Sequence, residues 1–144
     1  MPRRLRIEMV GGVYDVTNRG VDRRDIVRDD HDRHEWFRLF NRVATRCRWR
    51  VFAQALMTNH FHIFLKITDL NLSTGMHALE SGYATLFNKR HCRSGALFQG
   101  RFQAVLVESA GHAWSLSRYV HLNPCRDPVF IIRAGQSGHQ SSKS

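Results

Sequence analysis

The stretch Trp49–Ile67, WRVFAQALMTNHFHIFLKI, decides how this chain is to be read. It is rich in β-formers and long enough for two strands, and Thr58-Asn59 is the only plausible turn within it. The reading is a hairpin, Trp49–Met57 and His60–Ile67; one long strand with a bulge is the alternative. Along the second strand, alternate residues point to opposite faces. Phe61, Ile63 and Leu65 then share a core face, and His60, His62 and Phe64 share the other. Two imidazoles two positions apart stand roughly 6–7 Å from each other, a separation that one divalent ion can bridge. Two partly exposed histidines on a solvated sheet face would look the same, and the His-x-His pattern is short.

Outward from the hairpin, Val13–Thr17 alternates after a glycine pair and closes at Asn18-Arg19-Gly20, which predicts a strand and a turn. The segment DDHDRHEWFRLFNRVATRC begins with acids suited to a helix N-terminus. Trp36, Phe37, Phe40, Val43, Ala44 and Cys47 recur in it at helical spacing, opposite Arg38, Arg42 and Arg46. Its ligand-type residues Asp29, Asp30, His31, Asp32, His34 and Glu35 read as solvated charge. A second helix covers STGMHALESGYATLFNKRHCR, with Ser73 or Thr74 as its cap and Met76, Leu79, Tyr83, Leu86 and Phe87 as its apolar stripe. GALFQGRFQAVLVES predicts a further strand or hairpin. GHAWSLSRYVHLN predicts a short helix stopped by Pro124, because the residue before proline avoids the α region. The order β-α-β-β-α-β-α predicts an α+β fold: a ferredoxin-like antiparallel sheet with helices packed on one face and a short C-terminal helix. One domain is expected over residues 1–130, followed by a polar, Gly/Ser-rich tail, 131–144, expected to be disordered.

The 144 residues carry a net charge of +10 and 42% hydrophobic residues, which predicts one folded domain and a polyanionic partner, nucleic acid first. No apolar run reaches membrane-spanning length, and MPRRLRIEMVGG lacks the apolar core of a secretion signal, so the cytoplasm is the expected compartment. Three widely spaced cysteines, Cys47, Cys92 and Cys125, argue against a disulfide framework and a structural zinc site. Gly95 and Gly100 have the spacing of a phosphate-binding loop. Arg101-Phe102 stands where that loop needs Lys-Ser/Thr, so nucleotide binding is rejected. His77, His91, His112 and His139 receive no role, and His121 is expected to point away from its neighbours Tyr119 and Asn123. DNA contacts are expected from Arg19, Lys89, Arg90, Arg93 and Arg101, which sit at element ends. Phe98 and Phe102 can stack on bases, but core packing is the better reading for both.

A magnesium or manganese ion on His60 and His62 would also need oxygen ligands. In RYVHLNP, Tyr119 and Asn123 are four residues apart and share a helix face. Asn123 can supply an amide oxygen and Tyr119 a hydroxyl beside a bound phosphodiester; a core tyrosine and a plain helix-end asparagine are the alternatives. Together with His60-Phe61-His62, these segments resemble the HUH nucleases, specifically the REP-associated tyrosine transposases. VTNRG, ALMTNHFHIFL, FNKRHCRSGALFQGRF and RYVHLNPCR occur in that family's order, and the likeness covers Val13 to Arg126. After Asn-Pro the chain departs from the family pattern. The resemblance implies a ferredoxin-like α/β sandwich, Tyr119 as nucleophile, and His60, His62 and Asn123 as ligands of Mg2+ or Mn2+. It implies a transposase that cleaves and rejoins single-stranded hairpin DNA through a 5′-phosphotyrosine link, as a monomer or homodimer. A non-catalytic single-strand binder derived from a transposase is the alternative, and a metal-dependent hydrolase using water a distant third.

Overall fold

The computed structural model describes residues 8–107 and, as backbone, 130–131. Strand β1, Val13–Arg19, is followed by a one-turn 3-10 helix at Val21–Arg23 and helix α1, Asp30–Cys47. The hairpin β2, Arg50–Leu56, and β3, His60–Lys66, leads to helix α2, Leu72–Arg90. Strand β4, Gln103–Leu106, and the two-residue β5, Phe130–Ile131, complete the sheet. The sheet is antiparallel throughout, in the order β4-β1-β3-β2-β5. The first four strands have the ferredoxin-like order expected from the sequence. β5 was not expected; it pairs Ile131 with Ala55 and Phe130 with Leu56, and so spans the 130/131 boundary drawn from composition. The predicted short helix with Tyr119 and Asn123 lies outside the described residues, as does most of the expected tail.

Both helices pack on one face of the sheet. Phe61, Ile63 and Leu65 of β3 and Tyr14 and Val16 of β1 are buried against Trp36, Phe40, Met76, Leu79 and Tyr83. Trp36 lies at the centre, with ring centroids 4.7 Å from Phe61 and 5.2 Å from Tyr83. Phe98 and Phe102 join this core, as read from the sequence. Close approach of α2 to the β2 end needs Gly75: a Cβ there would stand 2.3 Å from the Trp49 ring.

The hairpin turns at residues 57–59, where the Met57 N–H donates to His60 O at 2.9 Å. β2 carries a bulge at Phe52, because its register against β3 moves from Val51↔Leu65 to Ala53↔Phe64. Val51 and Leu56, five residues apart, can therefore both face the core. Asp29 caps α1 by accepting from Asp32 N at 3.0 Å. Neither Ser73 nor Thr74 caps α2, which begins at Leu72 after Asn71. Glu8 does that work instead, accepting from Ser73 N and Oγ at 2.7 Å each. Asn71 is drawn away to Trp49 Nε1 and Cys47 O.

Candidate active site

The second face of the sheet carries the histidines. β3 alternates half-buried His60, His62 and Phe64 with fully buried Phe61, Ile63 and Leu65, so the strand builds the core with one side and a cleft with the other. The His60 and His62 ring centroids are 5.8 Å apart. Each ring is held at Nδ1, His60 by Asn59 Oδ1 at 2.8 Å and His62 by Asp15 Oδ1 at 3.4 Å. Asp15 lies on β1, where Val16 and Tyr14 turn to the core and Asp15 and Thr17 to the other face, Thr17 lining the cleft and Asp15 standing behind His62. A carboxylate behind an imidazole is the usual support of a metal-ligating histidine. Alternation along β1 could have revealed Asp15, once β1 was known to pair with β3.

The cleft around the pair has a volume of about 650 Å³. Arg19, Arg23 and Arg101 rim it, with the carboxamides of Gln99 and Gln103 between them, and no described residue that lines it is acidic. The walls come from three chain segments. Arg19 ends β1 and donates from Nε to Gln99 Oε1. Arg23 sits in the 3-10 turn, where it and Asp22 both adopt the left-handed region at φ 57° and 52°. Gly20 permits that turn, since a Cβ there would lie 2.0 Å from Arg24 O. The third wall is the loop before β4, tied to β1 through Asn18, whose amide donates to Gly100 O and to the Glu80 carboxylate of α2. Sequence reading missed Arg23, because the turn expected at Asn18-Arg19-Gly20 carries no sign that the following residues fold back on the histidine hairpin.

The five basic residues expected at DNA divide. Arg19 and Arg101 line the histidine cleft. Lys89 and Arg90 line a second cleft, between the start of α1 and the end of α2. Arg93 spans a loop, donating to Asn88 Oδ1 and Ala96 O. Arg90 grips Asp29 at 2.5 and 2.6 Å and Asp32 at 2.9 Å. Here the expectation of solvated acids fails for Asp32, which is 2% exposed. Its carboxylate accepts from Arg28 N at 2.9 Å and from Arg90, and contacts His91 Nε2 at 2.8 Å, so His91 has a partner that its sequence context did not suggest. Asp29 stays ionised far below the usual carboxylate range, first because of its hydrogen bond from Arg90 and then that from Asp32 N.

The donor set suits a divalent ion as far as it is described. Two imidazoles face one cleft, and a carboxylate stands behind one of them. Among the described residues no group of three or more His, Cys, Asp or Glu side chains is placed to hold a metal. Tyr119 and Asn123, the remaining residues expected at the site, lie outside the described part. No helix among the described residues is long and apolar enough to cross a membrane.

Solved structures of transposases share this fold. A REP-associated tyrosine transposase bound to a REP hairpin superposes with a TM-score of 0.71, at 16% identity, covering 86% of this chain and 73% of that one. A putative transposase from Deinococcus radiodurans matches at 0.56 and 15% identity, over 83% of this chain and 96% of that one. Residues 12–123 match the family model described as transposase IS200-like, and the chain belongs to that family. Comparison with curated proteins gives no match.

Proposed function

We propose that this protein is a metal-dependent tyrosine transposase that nicks and rejoins single-stranded hairpin DNA through a 5′-phosphotyrosine intermediate. The observation that carries the reading is the position of His60 and His62, together on the open sheet face in a cleft rimmed by arginines and lined by no acid. Membership of the IS200-like transposase family supports it. The REP hairpin bound by the structurally similar transposase supports a hairpin substrate.

His60, His62 and Asn123 would hold Mg2+ or Mn2+, which when bound polarises the phosphoryl oxygen. Arg19, Arg23 and Arg101 neutralise the DNA phosphates and fix the strand in the cleft. Tyr119 Oη attacks the scissile phosphorus. The P–Oη bond forms as the P–O3′ bond breaks, the tyrosine proton passes to solvent, and the departing 3′ oxygen takes up a proton. A second 3′-OH then attacks the phosphotyrosine, restoring the phosphodiester and the tyrosine hydroxyl. The ester energy is conserved in the protein–DNA bond, so no nucleoside triphosphate is consumed.

The sequence holds three tyrosines, and two have other work, which supports Tyr119 as the nucleophile. Tyr14 and Tyr83 are 2% and 1% exposed in the core. Tyr14 Oη accepts from Met9 N at 2.7 Å. Tyr83 donates to Ile26 O, and burial, then the charges of Asp32 and Asp29, push its pKa far above the usual phenol range.

The test is a covalent-adduct assay with labelled hairpin DNA and Mn2+ or Mg2+, run on wild type and Tyr119→Phe. DNA that migrates with the denatured wild-type protein and is lost in the variant is the expected result. Salt-sensitive binding with no adduct, across a panel of hairpins and both metals, would replace this reading with a non-catalytic DNA-binding module.

A further inference from the structure

We propose that Asn59 is a positioning residue that sets the tautomer of His60, and that it does so by relaying the fixed polarity of the Arg23 carbonyl. The proposal rests on the reading of His60 and His62 as metal ligands for its consequence, though not for its geometry.

A backbone carbonyl can only accept. The Asn59 Nδ2 group lies 3.4 Å from Arg23 O and donates to it. A flipped amide would set two oxygens against each other, so the orientation is not arbitrary. With Nδ2 committed to Arg23, Asn59 Oδ1 is the atom turned to His60, 2.8 Å from Nδ1. An amide oxygen accepts, so His60 Nδ1 carries the proton and a neutral ring has its lone pair on Nε2. His62 reaches the same tautomer by another route, because its Nδ1 faces the Asp15 carboxylate on β1. Two rings are thus given one protonation pattern by two chemically different partners. A free histidine in water prefers the opposite tautomer, with the proton on Nε2, so the arrangement is imposed by the fold.

Asn59 is well placed to be that relay. Its own carbonyl accepts from Gly20 N at 2.9 Å, and the preceding Thr58 carbonyl accepts from Ile26 N and Val27 N at 2.8 and 3.1 Å. The hairpin turn and the segment from Gly20 to Val27 are therefore tied together by backbone bonds that no side-chain change removes. The Asn59 side chain adds one connection, from the turn that carries Arg23 to the ring of His60. It makes the phosphate-facing turn and the metal-facing histidine parts of one hydrogen-bonded chain.

The test uses the full chain labelled with 15N, at about pH 8, above the ordinary histidine pKa of about 6.5. Two-bond 1H–15N spectra of the imidazoles report which nitrogen is protonated. Wild type is expected to show His60 and His62 both protonated on Nδ1. In Asn59→Ala, His60 should shift to the Nε2-protonated form while His62 stays, which a general loss of structure would not produce. Asn59→Asp loses the donor to Arg23 O but can only accept at His60 Nδ1, so it should keep the Nδ1 proton without the relay. Mn2+ affinity without DNA, followed by electron paramagnetic resonance, should fall about tenfold or more in Asn59→Ala, the usual cost of losing a residue that orients a ligand. Wild-type His60 protonated on Nε2, or an Asn59→Ala spectrum unchanged at His60, would overturn the proposal. Wild type that binds no Mn2+ would sink the metal reading alone, and the spectra would still decide for or against Asn59.

Discussion

Two clefts of this molecule hold the same residue type to different ends. Beside the histidines, Arg19, Arg23 and Arg101 line a surface with no acid in it. Between α1 and α2, Arg90 is gripped by Asp29 and Asp32. In the first, positive charge is left to act on something outside the protein. In the second it is neutralised internally and fastens the end of α2 to the start of α1. A net charge of +10 is silent on this division; only the location of the carboxylates decides it.

The largest effect expected is at Asp32. Asp32→Ala should cost ~3 kcal/mol in urea unfolding, because it strands the Arg28 N–H and His91 and leaves Arg90 held by Asp29 alone. A loss under half that size would mean that the second cleft is not a structural clamp. Next, on the proposed function, Arg101→Ala should weaken hairpin DNA binding several-fold and reduce the salt slope of log K by about 0.7, the value for one single-strand phosphate contact. Arg90→Ala should lower the melting temperature and leave DNA affinity unchanged; weakened DNA binding at an unchanged melting temperature would erase the contrast between the two surfaces. The smallest effect concerns acid. The Asp29 pKa is depressed from the ordinary 3.8 by Arg90 first. Its stabilisation is therefore fully present above that value and is lost as pH falls toward the folded-state value. Thermal unfolding should show wild type ahead of Asp29→Asn at neutral pH, with the gap closing progressively below about pH 4.

Much of the fold was legible because its periodicities are clean. The α1 stripe from Trp36 to Cys47 and the β3 alternation from His60 to Lys66 are both buried as their spacing predicts. Of the α2 stripe, Leu86 alone is only partly buried, at the second cleft. The histidine pair was legible for the same reason, since a period of two assigns faces without knowledge of the neighbouring strands. What surrounds the pair was not. Asp15, Arg23 and Asn59 act through contacts of 47, 36 and 1 residues in separation respectively. Even the shortest is a side-chain orientation that only the distant Arg23 carbonyl determines. Asp32 was misread because a local charge run hides which member turns inward, and its partner Arg90 is 58 residues away. Two-residue β5 has too little length to carry a pattern.

The bulge at Phe52 has a consequence for changes in chain length. On either side of it β2 obeys opposite parity: Val51 is inward by one count, Gln54 and Leu56 by the other. Deleting Phe52 would remove the extra residue and leave a regular ladder in which every pair from Arg50↔Lys66 to Leu56↔Phe61 is kept. A deletion at Phe52 would thus keep Val51 inward and Arg50 outward, and leave Ala55 opposite His62. The strand is built so that an indel is absorbed away from the histidines.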